Sequence, residues 1–168
     1  MTSGFTLVEL MVTVALLGLM AALGLSGSSE QLARLQVDAA ARRLVVGIER
    51  GRDAAERTGQ ACALELNPDG WFGRANAGSL ACVGADTPLT ESFLPSNLVV
   101  GSSFSGALRF TANGLAIDGG TVVVGHVDTT LVRCLVISPP LGVMRVGRYA
   151  GAVTASPKAE QCLPDPLL

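Results

Sequence analysis

Residues Phe5 to Leu25 form an apolar run of 21 residues broken by one charge, Glu9. No other feature limits the fold as tightly. As a helix rising about 1.5 Å per residue, the run is roughly 31 Å long, the thickness of one bilayer core. The sequence therefore predicts a transmembrane part over 5–25. A carboxylate carried into that layer costs on the order of 2.5–3.5 kcal/mol, so Glu9 needs a partner or a task. The four residues ahead, Met-Thr-Ser-Gly, contain no Lys or Arg. A secretory signal peptide wants a basic start and an unbroken apolar stretch, and this chain offers neither.

Helical character continues past the span. Leu25 to Ser29 is a soft place, because Gly and Ser cost helix stability relative to Ala, and a bend or local loosening is expected there. From Glu30 to Arg57 the apolar positions Val37, Ala41, Leu44, Ile48, Gly51 and Ala55 recur at threes and fours, which makes one stripe. Asp38 with Arg42, and Asp53 with Arg57, are favourable pairs four residues apart, whereas Glu49 and Asp53 repel. Arg34, Arg42, Arg50 and Arg57 fall on the opposite side and read as a solvated face. Thr58-Gly59 supplies the stop. One long helix over 5–58 follows, half apolar and half amphipathic.

From Gln60 the period changes to two. Ala61 to Leu66 reads as a strand, Asn67-Pro68-Asp69-Gly70 as a turn, and Trp71 to Gly73 as the returning strand. Residues 74 to 97 read as a long loop with short strands near Ala81–Val83 and Ser92–Leu94. Leu98–Val100 and Ala107–Phe110 are further short strands, and Thr111-Ala112-Asn113-Gly114 is a turn. The β-branched run Thr121–Val127 and the segment Thr130–Ser138 are strands joined by a tight connection. Pro139-Pro140-Leu141-Gly142 turns the chain into a last short strand, Val143–Val146. Residues 149 to 168 read as a tail, tied back by Cys162. Most of the 20 glycines lie after residue 58, between apolar runs, where turns belong.

The net charge of −2 provides no basic field for bulk nucleic-acid binding. Cys62, Cys82, Cys134 and Cys162 all lie beyond the apolar run. None forms C-x-x-C and His126 is the only histidine, so no metal is expected. Three disulfide pairings are open if that part of the chain meets an oxidising compartment. The sequence-near pairs, Cys62 with Cys82 and Cys134 with Cys162, are preferred; one bridge and two reduced core cysteines are the alternative. Enzyme chemistry has no foothold. His126 stands beside Asp128, but there is no Gly-x-Ser-x-Gly elbow, phosphate loop or metal-ligand cluster. Glu65 and Asp69 straddle a turn. His126 reads as a turn-proximal residue, and neither a cofactor nor catalysis is expected.

The string Gly4-Phe5-Thr6-Leu7-Val8-Glu9-Leu10, with its apolar continuation, resembles the class III leader of type IV pilins and type II secretion pseudopilins. The resemblance implies that a dedicated prepilin peptidase removes leader 1–4 by cutting between Gly4 and Phe5 and methylates the new amino terminus of Phe5. It implies that Glu9 pairs with the terminal amine of a neighbouring subunit during assembly, a buried anion offset by a buried cation. The arginine face then gains a second reading, contact with neighbouring subunits in a filament.

The order Phe110-Thr111-Ala112-Asn113-Gly114, Thr121–Val127, Thr130–Ile137 and Gly142–Val146 is similar to the GspH/FimT pseudopilin family. That resemblance implies an α+β, type IV pilin-like fold, with a long N-terminal helix packed on an antiparallel β-sheet domain. The domain, 59–168, would be periplasmic and β-rich with a C-terminal tail, and the chain would be a single-pass inner-membrane protein incorporated into a pilus or pseudopilus. Its partners would be other minor and major pilins or pseudopilins and the prepilin peptidase. The implied function is that of a minor pseudopilin that helps initiate or cap a type II secretion pseudopilus; the alternative is a minor pilin of a type IV pilus. Some type IV members bind DNA through a terminal Gly-Arg-x-Arg-like segment. Here that segment is Gly142-Val143-Met144-Arg145-Val146-Gly147-Arg148: Val143 replaces the first arginine, and Arg145 and Arg148 remain. Two arginines without a supporting basic patch would bind DNA weakly, so DNA is not an expected partner.

Overall fold

The structure is a computed structural model that describes residues 6–25, 28–75, 78–90, 97–153 and 156–165, with the side chains of 21–25 and 28 excepted. The first helix, α1 (Leu7–Leu25), opens at Thr6. The Thr6 carbonyl accepts the Leu10 N–H at 3.1 Å, and its Oγ1 accepts the Glu9 N–H at 3.3 Å. Thr6 is thus the N-cap of a Thr-x-x-Glu pattern. Every side chain from Thr6 to Met20 is exposed. Among the described residues no helix is long and apolar enough to cross a membrane; the expected span, 5–25, runs past the described side chains at both ends. The soft place at Leu25–Ser29 likewise falls partly outside the described residues, at 26–27.

The second helix, α2 (Ser28–Thr58), behaves differently. Val37, Ala41, Leu44, Ile48 and Ala55 are almost fully buried, joined by Ala33, Ala40 and Ala54. The helix ends where expected: Gly59 donates to the Glu56 carbonyl and Gln60 to that of Ala55, both at 3.3 Å, a Schellman closure. The arginine face, Arg34, Arg42, Arg50 and Arg57, is exposed, and Arg50 also donates to Asp86 O and Thr87 Oγ1, both at 3.3 Å. Arg43, outside that face, reaches Pro88 O at 3.3 Å. The expected Asp38–Arg42 pair gives way to a distant partner, since Asp38 accepts from Arg133 Nε at 2.7 Å.

Two sheets lie against α2. The first contains β1 (Cys62–Asn67), β2 (Gly70–Gly73), β3 (Leu80–Ala81) and β4 (Thr87–Pro88) in the order β3-β1-β2-β4. A further strand, β6 (Leu108–Phe110), also pairs with β1. β3 runs parallel to β1 and starts one residue before the expected strand; β4 falls inside the expected loop. The expected strand Ser92–Leu94 lies outside the described residues. The second sheet is antiparallel throughout, in the order β10-β9-β8-β7-β5. Its strands are β5 (Leu98–Ser102), β7 (Gly120–His126), β8 (Thr129–Ser138), β9 (Val143–Tyr149) and β10 (Cys162–Pro164).

The C-terminal end departs from expectation. β9 continues to Tyr149 because the ten-residue β8 provides a partner as far as Arg133, opposite Arg148. It is not the last strand, since β10 pairs along it in what was read as tail. The main core lies between α2 and the sheets and contains Leu44, Ile48, Leu64, Trp71, Leu108, Phe110, Val122, Val124, Leu135 and Ile137. Trp71 Nε1 donates to the Leu44 carbonyl at 3.0 Å, which satisfies its one polar atom inside that core. A smaller cluster, Val123, Val132, Cys134, Tyr149 and Cys162, occupies the other face of the second sheet.

Candidate functional site

The residues singled out from the sequence occupy three separate places. At the chain start, Gly4 and Phe5 lie outside the described residues. Glu9 is described, exposed, and in the first turn of α1, where the helix dipole favours a carboxylate. Among the described residues no cation lies within ion-pair distance of it. The Thr6 cap adds a residue that sequence reading did not single out, although the Thr-x-x-Glu spacing carries that signal.

On β9, Arg145 and Arg148 are both exposed but do not form one patch. They are three positions apart, and side chains on a strand alternate faces with a period of two. Arg145 turns toward the C-terminal segment and donates to Ala159 O at 3.1 Å. Arg148 stands opposite Arg133 in register, on the α2 side. The strand therefore does not bring the two guanidiniums together on one phosphate-facing surface.

Arg133 is the most heavily engaged cation. It is buried in the sheet and bonds Asp38 of α2 and, through NH1, Asp165 beyond β10. Burial alone would lower its pKa; the hydrogen bonds to Asp38 and Asp165 outweigh that and raise it. A second pair, Arg109 Nε with Asp118 Oδ2 at 2.7 Å, holds the Asp118 carboxyl below the usual carboxylate range through its hydrogen bond. It borders an open polar groove of about 370 Å³ that also touches Ser103, Phe104 and Gly119. Arg109 Nε and Nη2 are taken up by the two Asp118 carboxylate oxygens.

The four cysteines form two bridges, Cys62–Cys82 with a Cα separation of 4.9 Å and Cys134–Cys162 with 5.7 Å. The first lies in the main core and the second in the outer cluster. His126 sits at the β7–β8 turn with Nδ1 accepting the Asp128 N–H at 3.1 Å. Among the described residues no cluster of His, Cys, Asp and Glu could hold a metal ion.

The motif glycines near the C-terminal half have a shared cause. Gly142 (φ +63) lies under α2: Arg52 NH2 donates to the Leu141 and Gly142 carbonyls at 3.1 and 2.9 Å. A Cβ at Gly142 would come within 2.4 Å of that nitrogen. Gly114 (φ +73) lies under the next turn of α2, where a Cβ would meet Glu56 Oε1 at 2.1 Å. Both turns are thus shaped to receive the end of the helix. That arrangement, a helix docked on antiparallel-rich sheets through its glycine turns, with an exposed apolar helix ahead of it, defines a pilin-like α+β protein.

The comparisons agree with that class. The family described as Type II transport protein GspH matches residues 40–141, more than half of the chain, and the prokaryotic N-terminal methylation motif matches residues 1–25. The chain belongs to the GspH family, a structural pseudopilin family. The match begins in α2 and ends in the β8–β9 turn, ahead of β9 and β10. No curated protein and no solved structure matches the chain.

Proposed function

We propose that this chain is a minor subunit of a type II secretion pseudopilus, where it helps initiate or cap the filament used for protein export. In this reading the prepilin peptidase cuts between Gly4 and Phe5 and methylates Phe5. Segment 5–25 anchors the chain in the inner membrane, and 59–168 stands on the periplasmic side. The chain is then a substrate of the processing chemistry and performs no catalysis of its own.

The observation that carries the reading is the exposure of α1. Leu7, Val8, Met11, Leu17 and Met20 are each 65–73% exposed. A helix apolar all round is stable only inside another apolar phase, either a bilayer or a bundle of like helices. A pilin-like subunit needs both in turn. Membership of a type II transport protein family favours secretion over a type IV pilus.

Co-purification of the native protein, with its neighbours identified by mass spectrometry, tests the assignment. Pseudopilins together with a secretin and secretion ATPase support it. Capture with type IV minor pilins alone would move the chain to the pilus.

A further inference from the structure

We propose that residues 156–165 form a strap that closes over the outer face of the second sheet only when Cys134 and Cys162 are joined, while the α2-facing core folds without it. The strap lies beyond the part of the chain that matches the family.

The sheet has two faces with unequal cover. Val122, Val124, Leu135 and Ile137 face α2, which covers them with its whole buried stripe. Val123, Val132, Cys134 and Tyr149 face the strap. The strap itself buries only Pro157 and Cys162; its 3-10 turn, Ala159–Gln161, buries nothing, and Leu163 is 53% exposed. β10 contributes three paired residues. The other attachments include the Ala150 N–H donated to Gln161 O at 2.8 Å, Lys158 N–H to Tyr149 O–H at 3.1 Å, Tyr149 O–H to Gln161, Arg145 to Ala159 O and Arg133 to Asp165.

Fixing ten residues costs conformational entropy at every backbone position. Two buried side chains, a few neutral hydrogen bonds and the Arg133–Asp165 pair, whose arginine keeps Asp38 when the strap opens, do not offset that cost with any margin. The bridge changes the balance by tethering the strap across a separation of 28 residues. Its neighbour contacts bracket the sheet: Cys162 binds Cys134 on the outer face, and Asp165 binds the adjacent Arg133 on the helix face. Closing the strap converts two thiols to one S–S bond, with the two electrons and two protons passing to an external disulfide such as oxidised glutathione, which leaves as two thiols. Without the bond, Val123, Val132 and Val136 lose their cover. On the proposed membrane topology, the strap then closes only after export into an oxidising compartment; the closure itself does not depend on that topology.

The sequence provides clean probes. Lys158 is the only lysine, Trp71 the only tryptophan and Tyr149 the only tyrosine. A protease that cuts after lysine therefore severs the strap and nothing else, and Trp71 emission reports the main core alone. The test uses the full chain in detergent micelles, comparing the oxidised protein with Cys134→Ser/Cys162→Ser. Samples are reduced after quenching so that the released C-terminal peptide is counted. The variant should be cut roughly tenfold faster or more, as cleavage follows the open population, with Trp71 emission unchanged. Cleavage at an equal or slower rate would overturn the proposal, because the strap would then hold without its bond. Faster cleavage together with a red-shifted Trp71 would also overturn it, because strap and core would then be one cooperative unit.

Discussion

α1 and α2 are close in sequence and opposite in behaviour. α1, of 19 residues, exposes every described side chain and carries one charge. α2, of 31 residues, buries a stripe from Ala33 to Ala55 and spends its polar residues on its own sheets and loops. Asp38 reaches β8, Arg50 the β4 loop and Arg52 the turn before β9. The buried stripe of α2 finds its partners inside the molecule, although Leu32 and Leu35 near its start stay exposed, whereas the described side chains of α1 are exposed throughout. Changes in α1 should therefore register in processing and assembly with the domain's stability untouched, and changes in α2 the reverse.

The largest expected effect lies just ahead of α1. Replacing Gly4 by leucine should abolish cleavage, so that intact mass finds the precursor with residues 1–4 and no methyl on Phe5. Wild-type protein should show loss of those four residues and one added methyl. A wild-type chain starting near Ser28 would instead indicate an ordinary signal peptidase. The unfolding midpoint of the domain should be the same in Gly4→Leu as in the wild type.

A matched pair of glycine substitutions sharpens the comparison at intermediate size. Alanine is preferred over glycine by about 1 kcal/mol in a helix interior. At Gly18 in α1 a Cβ meets nothing within 4 Å, so Gly18→Ala should leave the domain's denaturation curve unchanged. At Gly47 in α2 a Cβ would lie 2.3 Å from Trp71 Cδ1, against a ring held by its bond to the Leu44 carbonyl. Overpacking of that kind costs about 1–3 kcal/mol, which should outweigh the helix gain and lower the urea midpoint. Equal midpoints for Gly47→Ala and wild type would mean that α2 is not seated on Trp71 as described.

The same contrast explains what was legible in the sequence. The α2 stripe and its Thr58-Gly59 stop are local patterns, and both appear where their spacing puts them. Asp38 could not be assigned locally: Arg42 is four residues away, but Arg133, reached only after the sheet forms, takes the carboxylate. β10 carries no periodic signal, since Cys-Leu-Pro is three residues long, and its place comes from β9 and the bridge to Cys134. Gly114 and Gly142 stood out as motif positions, but their reason, Glu56 and Arg52 above them, lies in another element. The placing of Arg145 and Arg148 on opposite faces was available from their odd spacing once β9 was known to reach both. Glu9 was legible as a charge in the wrong solvent, and no cation lies within ion-pair distance of it among the described residues.

The smallest effect is expected at Glu9, and it tests the α1 side of the comparison most directly. Thr6 fixes the first turn through its bond to the Glu9 N–H, a backbone contact that any residue at position 9 retains. Glu9→Val should therefore keep the helix start and, by removing a polar group from an apolar run, leave membrane insertion intact or improve it. The exposed position touches nothing in the domain, so stability should stay at the wild-type value. Assembly is where the change should register. In the proposed filament, neighbouring helices would surround position 9, the carboxylate would lose water, and the methylated amine of Phe5 on an adjacent subunit would offset that loss at one axial stagger only. A subunit at a filament tip has neighbours on one side, so the loss of crosslinking to other minor subunits should be partial, roughly two- to fivefold, the scale of a single partly solvated ion pair. Undiminished crosslinking in Glu9→Val would show that the charge does not set the stagger, and the amine of Phe5 would then be the group to alter. A drop in domain stability would break the comparison itself, because it would give α1 a partner inside its own chain.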